Sequence, residues 1–338
     1  MRPGRRPGLT RVPIGRDFTI MPAVDRFLLD CAAAAVDVPL PRYMDWAFDA
    51  LMPLLRFDSA GWGIGTHDPP VTHLVHLRGV PPAMLIAYEA GIVELDYIRA
   101  AAAAMPGTTI NDFDIRDAFP EAAAAIDDKI SAPFAIEQTL ATSLPHDSTG
   151  GLQHLVLLWR AKRFDPFDEA ERVLVERCVP HMVAGYRTAQ RLFLATTAAR
   201  DAARGQALVD ARGVLHSFDD RFVRIVRRQW PDWREGGLPK PLAQAVIAGV
   251  DCSLPGLDVQ ARPSGPLWAV SLAERRTDPL TPAQRRVAEL YAGGMTHRQI
   301  AAALGLAPAT VRNQVARAFA RLGVDNKLAL AERLRSIG

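Results

Sequence analysis

The feature that most constrains this chain is the punctuation of its last stretch, where caps and glycines mark out four short helices in a fixed order. From Leu280 the sequence reads LTPAQRRVAELYAGGMTHRQIAAALGLAPATVRNQVARAFARLGVDNKLALAERL. Thr281 with Gln284 three residues later forms a capping box, in which each side chain satisfies the other residue's backbone N–H. Pro282 between them sits at the first helical position, where its missing N–H costs nothing. Val287, Leu290 and Tyr291 make the predicted inner face of this helix, and Gly293-Gly294 ends it. Thr296 and Gln299 repeat the box and open a second helix with Ile300, Ala301 and Leu304 inward, stopped by Gly305. Pro308 opens a third, in which Val311, Val315, Ala318 and Leu322 recur at helical spacing before Gly323 closes it. A fourth helix over 327–336 is expected to place Leu328, Ala331 and Leu334 on one side.

Two short helices joined by a glycine-containing turn form a helix-turn-helix, whose second helix can enter the major groove of DNA. With the four apolar residues turned inward, Arg312, Asn313, Ala316 and Arg317 fall wholly or partly on the outer side of the third helix. Arginine can give paired hydrogen bonds to guanine O6 and N7, and Asn313 or Gln314 can do the same at adenine N6 and N7.

On these residues the segment resembles the LuxR family of helix-turn-helix domains, also found in NarL- and FixJ-type regulators. The shared letters are Leu280-Thr281, Gly294, Thr296, Gln299-Ile300-Ala301, Thr310-Val311 and Leu322-Gly323-Val324. The resemblance implies base reading by Arg312, Asn313 and Ala316, with Gln314 and Arg317 beside them. It places Thr296, Arg298, Gln299 and Thr310 near phosphates. It also implies a fourth helix that supports dimerisation on DNA, although packing against the first helix accounts for the same letters. Three departures stand out: Gln284 replaces the usual Glu, Gln314 stands where His is common, and Ala307 replaces a Ser or Thr cap worth about 0.5–2 kcal/mol.

Charge is distributed to match. Residues 278–338 carry nine basic side chains against four acidic, whereas 21–277 carry 26 against 32. An acidic body with a compact basic end suits a sensor joined to a polyanion binder. Residues 1–20, with five Arg and one Asp interrupted by Pro and Gly, read as a disordered basic arm and not a secretory signal, which leaves Met21 as an alternative start. No apolar run is long enough to span a bilayer. Cys31, Cys178 and Cys252 are odd in number and far apart, so neither a disulfide framework nor a CxxC pair is expected, and a cytoplasmic location fits.

The rest of the chain reads as a multidomain sensor region. Stretches 24–35 and 42–55 have helical patterns separated by Pro39 and Pro41; 59–66 and 71–77 read as strands around Asp68-Pro69-Pro70; 81–104 as helix; 152–159 as strand. An α+β layer structure follows for 21–200. From 168 to 204, Val175, Val179, Met182, Tyr186, Ala189 and Phe193 recur at four and three residues, which suits either a coiled-coil partner or a helix laid over the sensor core, and Pro180 should kink it. The stretch FDPFDEAERVLVERCVPHMVAGYR resembles GAF-like sensor halves that precede such DNA-binding domains. Residues 201–275, with QALVDARGVLHSFDDRFVRIV and a final strand over 267–272, resemble a small PAS-like α/β module before the all-α domain 276–338. In related acyl-homoserine lactone sensors a Tyr, an Asp-Pro and a Trp hold the ligand. The resemblance offers Tyr88, Asp96 and Trp62 for these places, but Tyr97 stands where the Pro would follow, and a structural role for Tyr88 and Asp96 is the simpler reading.

Other chemistry lacks its motif. Lys240-Pro241 alone does not make a phosphorylated receiver, and neither a phosphate-binding G-x-x-x-x-G-K-[ST] loop nor a G-x-S-x-G elbow occurs. His73 and His76, three apart on a strand, should face opposite sides and share no metal. No catalytic residue, cofactor or metal is assigned. The sequence reads as a bacterial transcriptional regulator whose partners are double-stranded DNA, a second copy of itself, a small-molecule effector or sensed protein, and RNA polymerase. The alternative is a small-molecule-binding or enzymatic protein with a vestigial helix-turn-helix.

Overall fold

The computed structural model describes residues 23–146, 151–161, 165–249, 251–275 and 280–337; the expected basic arm over 1–20 lies outside the described residues. Two compact units divide the chain, one drawn from residues up to Asp251 together with Gln260–Leu272, the other from Cys252–Val259 and Ala273 onward. The first is α+β with antiparallel sheets, and the second ends in four helices.

The first unit opens with α1 (Ala23–Asp37) and α2 (Tyr43–Leu51). Phe27, Cys31, Ala34 and Ala35 recur on one side of α1 and are buried. The second helix stops at Leu51, short of the expected end, yet Leu55 in the following turn is still buried. Strands β1 (Ser59–Thr66) and β2 (Val71–Arg78) follow. The single helix expected over 81–104 is in fact two, α3 (Ala83–Glu89) and α4 (Tyr97–Ala104). Gly91 at positive φ interrupts the pattern and Asp96 restarts it, its carboxylate accepting the Arg99 N–H as an N-cap. After β3 (Thr109–Asn111) come α5 (Asp112–Ile115), α6 (Pro120–Ile126) and α7 (Ala132–Phe134), then β4 (Gln138–Pro145), β5 (Leu152–Arg160) and the long α8 (Glu169–Ala198).

The five strands form an antiparallel sheet in the order β2-β1-β5-β4-β3. One face carries Ala60, Trp62, Ile64, Leu74, Leu140 and Leu158 into a core shared with α1, α2 and α8. Helix α8 contributes Val175, Val179, Met182, Tyr186 and Ala189, so its heptad-like stripe covers the sheet, and the helix runs on through Pro180. Gly185 permits this approach, because a Cβ there would collide with the Tyr43 ring, whose hydroxyl donates to the Cys31 carbonyl.

A second sheet, in the order β7-β6-β10-β9-β8, is built from β6 (Gly205–Val209), β7 (Leu215–Phe218), β8 (Cys252–Leu254), β9 (Leu257–Ser264) and β10 (Leu267–Glu274). Helices α9 (Asp220–Gln229) and α10 (Lys240–Ile247) lie between β7 and β8 in sequence. Leu208 and Leu267 of this sheet join the main core.

The terminal helices are α11 (Pro282–Ala292), α12 (His297–Leu304), α13 (Pro308–Leu322) and α14 (Lys327–Ile337). Both capping boxes form, and Gly305 and Gly323 take the left-handed conformation that ends α12 and α13. Val287, Ile300, Ala301, Val311 and Val315 make one core, while Leu280, Ala288, Ala318, Leu322, Leu330 and Leu334 make another. The inner face of α14 thus differs from the expected one: Leu330 is fully buried and Leu328 is 70% exposed. Leu330 and Leu334 pack together against Leu280, Ala288, Ala318 and Leu322, and Asn326 begins the helix by accepting the Ala329 N–H.

Candidate nucleic-acid interface and ligand cavity

Gly305 at φ 66° lets the chain turn sharply from α12 into α13, and Pro308 starts the second helix at once. Burial of Val311, Val315, Ala318 and Leu322 leaves Arg312, Asn313, Ala316 and Arg317 exposed together on α13. Gln314 is only half-exposed, and its side-chain carbonyl oxygen is enclosed without a hydrogen-bond partner among the described residues. Thr310 and Arg298 are exposed. Thr296 and Gln299 are engaged with each other: Gln299 Oε1 accepts from the Thr296 N–H at 2.8 Å and its hydroxyl at 2.9 Å, and the Gln299 N–H donates to Thr296 Oγ1 at 3.3 Å. Ala307 gives α13 no side-chain cap, so the first N–H groups of that helix keep their donors for another acceptor. Among the described residues Arg298, Arg312 and Arg317 form no ion pair, and no acid occurs on α12 or α13. The surface is cationic, amide-bearing and open, which is the chemistry that base edges and phosphates require.

A second site lies on the other face of the first sheet. There β1 presents Gly61, Gly63 and Gly65, and α3, α4 and α6 roof over the space, leaving a cavity of about 140 Å³. Its walls are mostly apolar, with Ile92, Ile98, Ile130, Leu155 and Trp159 among them. Polar groups converge from one side: Tyr88 donates its hydroxyl to Asp96 Oδ2 at 2.7 Å, Asp96 Oδ1 accepts the Arg99 N–H at 2.9 Å, and Arg99 Nη2 donates to the Val93 carbonyl at 2.9 Å. Burial pushes the Asp96 carboxyl above the usual carboxylate range, opposed by the Arg99 and Tyr88 donors, and likewise pushes the Tyr88 hydroxyl up.

Tyr88 and Asp96 are thus brought together on the cavity wall. Trp62 is placed differently from the expectation, because alternation along β1 turns its side chain away from the face that the flanking glycines present. Its fully buried indole packs with Phe48 and Tyr186 and donates to His154 Nδ1 at 3.1 Å.

Sequence reasoning missed a buried histidine network behind that sheet. Asp210 Oδ2 accepts from His73 Nδ1 at 2.9 Å and from His216 Nε2 at 3.2 Å, while Asp210 Oδ1 accepts the N–H groups of Arg212 and Val214. Burial would raise the Asp210 carboxyl, but these donors hold it well below the usual range. His146 stacks on His154 at 4.9 Å and meets His216 edge-on at 6.0 Å. Burial first, then His216 and the Arg187 and Arg191 charges, lowers His146 to about 3, and burial keeps His154 neutral as well. The strict alternation expected for His73 and His76 fails at a bulge, where the β1–β2 register slips between Ile64 and Gly65 and His73 is left unpaired. His73 therefore meets Asp210, whereas His76 bonds Asp45 at 2.8 Å. Only the bulge and the fold could reveal this group.

Residues 274–322 match the family model described as Sigma-70, region 4. Over 66 residues, 20% of this chain, the sequence is 48% identical to the transcriptional regulatory protein UhpA of Escherichia coli and 50% identical to that of Salmonella typhimurium. The matched stretch spans about a third of the length of these relatives, 34% in each case. Among solved structures, the N-acylhomoserine lactone dependent LuxR family transcription factor CepR2 of Burkholderia cenocepacia is 19% identical, with 48% of this chain and 92% of that one covered and a TM-score of 0.38. The VqsR LBD domain of Pseudomonas aeruginosa is 16% identical, with 50% and 96% covered and a TM-score of 0.37.

Proposed function

We propose that this chain, which ends in a LuxR-type helix-turn-helix domain homologous to that of UhpA, is a transcriptional regulator that reads DNA through α13 under the control of its N-terminal region. The observation that carries this reading is the set Arg312, Asn313, Ala316 and Arg317, exposed together on the second helix of the motif with no described ion pair to satisfy them. Arg312 and Asn313 read bases; Arg298 and Thr310 meet phosphates, joined by the amide of Gln299, whose carbonyl is held by Thr296. The first sheet with α8 serves as a GAF-like sensor over 21–200, and the second sheet as a reduced PAS-like module over 201–275. The cavity beneath α3 and α4 holds a small-molecule effector. The protein acts in the cytoplasm as a homodimer that communicates with RNA polymerase; no described helix is long and apolar enough to cross a membrane.

The test is to incubate the protein with fragmented genomic DNA, sequence what is retained, and repeat with Arg312→Ala plus Asn313→Ala. Each base-reading contact is worth about 1–3 kcal/mol, so the double variant should lose the enriched sites yet keep weak, salt-sensitive binding. Enrichment that survives the double variant would refute the assigned reading face.

A further inference from the structure

The cavity and the second sheet meet at one bulged strand, and both belong to the first compact unit. Strand β2 is the edge of its sheet, paired with β1 on one side, and an edge strand has the fewest backbone bonds to hold it in place. Its register slips: Gly65 faces Thr72 while Ile64 faces Leu74, and His73 has no residue across from it. Neighbours in a regular strand face opposite ways. Here Val71 and Thr72 both line the cavity, as Val75 and Leu77 do further along, whereas His73 and Leu74 turn to the other side. A bulge re-aims a side chain in this manner.

His73 is aimed at the turn that organises the second sheet. Asp210 closes the connection between β6 and β7, its Oδ1 accepting the N–H groups of Arg212 at 2.8 Å and Val214 at 2.9 Å. The same turn anchors the approach to α10, because the Leu238 N–H donates to the Gly213 carbonyl at 2.7 Å and the Leu215 N–H to that of Gly236 at 2.8 Å. Asp210 Oδ2 accepts from His216 of β7 at 3.2 Å and from His73 at 2.9 Å. Among the described donors to this carboxylate, His73 alone comes from the first sheet. Its side chain is 8% exposed and that of Asp210 2%. A carboxylate withdrawn from water depends on its donors, so the loss of one is felt by the rest of the turn.

The cavity presses on the same strand. A Cβ at Gly63 would meet Val75 Cγ2 first, at 3.8 Å, and Val75 stands two residues from His73. At the bulge itself the strands touch backbone to backbone, since a Cβ on Gly65 would lie 2.4 Å from the Val71 carbonyl oxygen. Close packing of this kind passes a displacement on instead of absorbing it.

Resting on the reading of the cavity as an effector site, we infer that the bulge at His73 couples that site to the second sheet: an occupant over Gly63 moves β2 outward, draws His73 from Asp210 and frees the β6–β7 turn. His73 touches no ligand and acts as a positioning residue.

The experiment fills the cavity from within the full chain by Gly63→Leu, and reads hydrogen exchange of the Arg212 and Val214 amides by NMR. Exchange of both should speed up by about fivefold or more. His73→Leu should speed it by itself, and adding Gly63→Leu to that variant should change little further. His73→Asn, which keeps an N–H where Nδ1 stands, should respond to Gly63→Leu as the native chain does. A merely structural histidine would leave the response to Gly63→Leu the same with and without it, and that result overturns the inference. So does an absent response in the native background with protection elsewhere in both sheets intact. If Gly63→Leu loses that protection throughout, Gly63→Val takes its place under the same criteria. DNA enrichment by the same variants separates this inference from the reading it rests on. Enrichment that changes with Gly63→Leu equally in the native and His73→Leu backgrounds keeps the effector site and overturns the coupling through His73; amide coupling with unchanged enrichment keeps the coupling and counts against the cavity as the controlling site.

Discussion

Trp62 and Gly63 are adjacent on β1 and meet opposite surroundings. The indole is sealed in the core against Phe48 and Tyr186, and the glycine opens the cavity floor. The same burial that seals Trp62 encloses His154 and His146, and it gives them a readable consequence. Both imidazoles are held neutral when folded, with His146 lowered to about 3, whereas an unfolded histidine titrates near 6.5. Above pH 6.5 neither state takes up a proton and stability is flat with respect to these groups. As pH falls from 6.5 towards 3, the unfolded chain binds protons that the folded one refuses, so stability declines. Urea unfolding at pH 7 and pH 5.5 should show a loss of about 1 kcal/mol for each such histidine, and His146→Gln should remove its share. An unchanged slope in that variant would mean that His146 is protonated in the fold. The sequence could not announce this network, because His73, His146, His154 and His216 are far apart in the chain.

At the scale of elements, α14 shows how a helical pattern can be right while its phase is wrong. Spacing alone favoured Leu328, Ala331 and Leu334; Leu334 is buried as expected, but Leu330 takes the inner place expected of Leu328, joining Leu280, Ala288, Ala318 and Leu322 in one core. Leu330→Ala should cost about 2–5 kcal/mol in thermal or urea unfolding of the full chain, while Leu328→Ala should stay within about 0.5 kcal/mol. The reverse order would mean that Leu328 is buried in solution, as it would be beneath a partner subunit. Helices α11 to α13 were legible almost to the residue because their boundaries are chemical: a Thr-Gln box, a Pro at the first position, a Gly in the left-handed conformation. Strands β3, β4, β8 and β9 escaped notice. Thr109–Asn111 is too short to show a period, and Gln138–Pro145 buries Thr139, Thr142 and Ser143 beside Leu140, so no polar-apolar alternation marks it.

For the molecule as a whole, the basic excess of 278–338 against the acidic excess of 21–277 predicts that DNA affinity resides at one end. Ending the chain at residue 277 should abolish retention of DNA in an anisotropy titration; retained DNA binding would overturn the assignment. The sequence by itself determined the helix-turn-helix, which side of its second helix is exposed and the α+β character of the rest, since caps, turns and periodicity act between near neighbours and are written in consecutive letters. Tertiary structure decided what depends on distant segments meeting. The strand order β2-β1-β5-β4-β3 sets Gly63 of one strand against Leu155 of another, the bulge at His73 brings it to Asp210, and α3, α4 and α6 close a cavity lined also by the glycines of β1. Burial and pairing of this kind arise from long-range packing, and no local pattern encodes which buried group will be left without a partner.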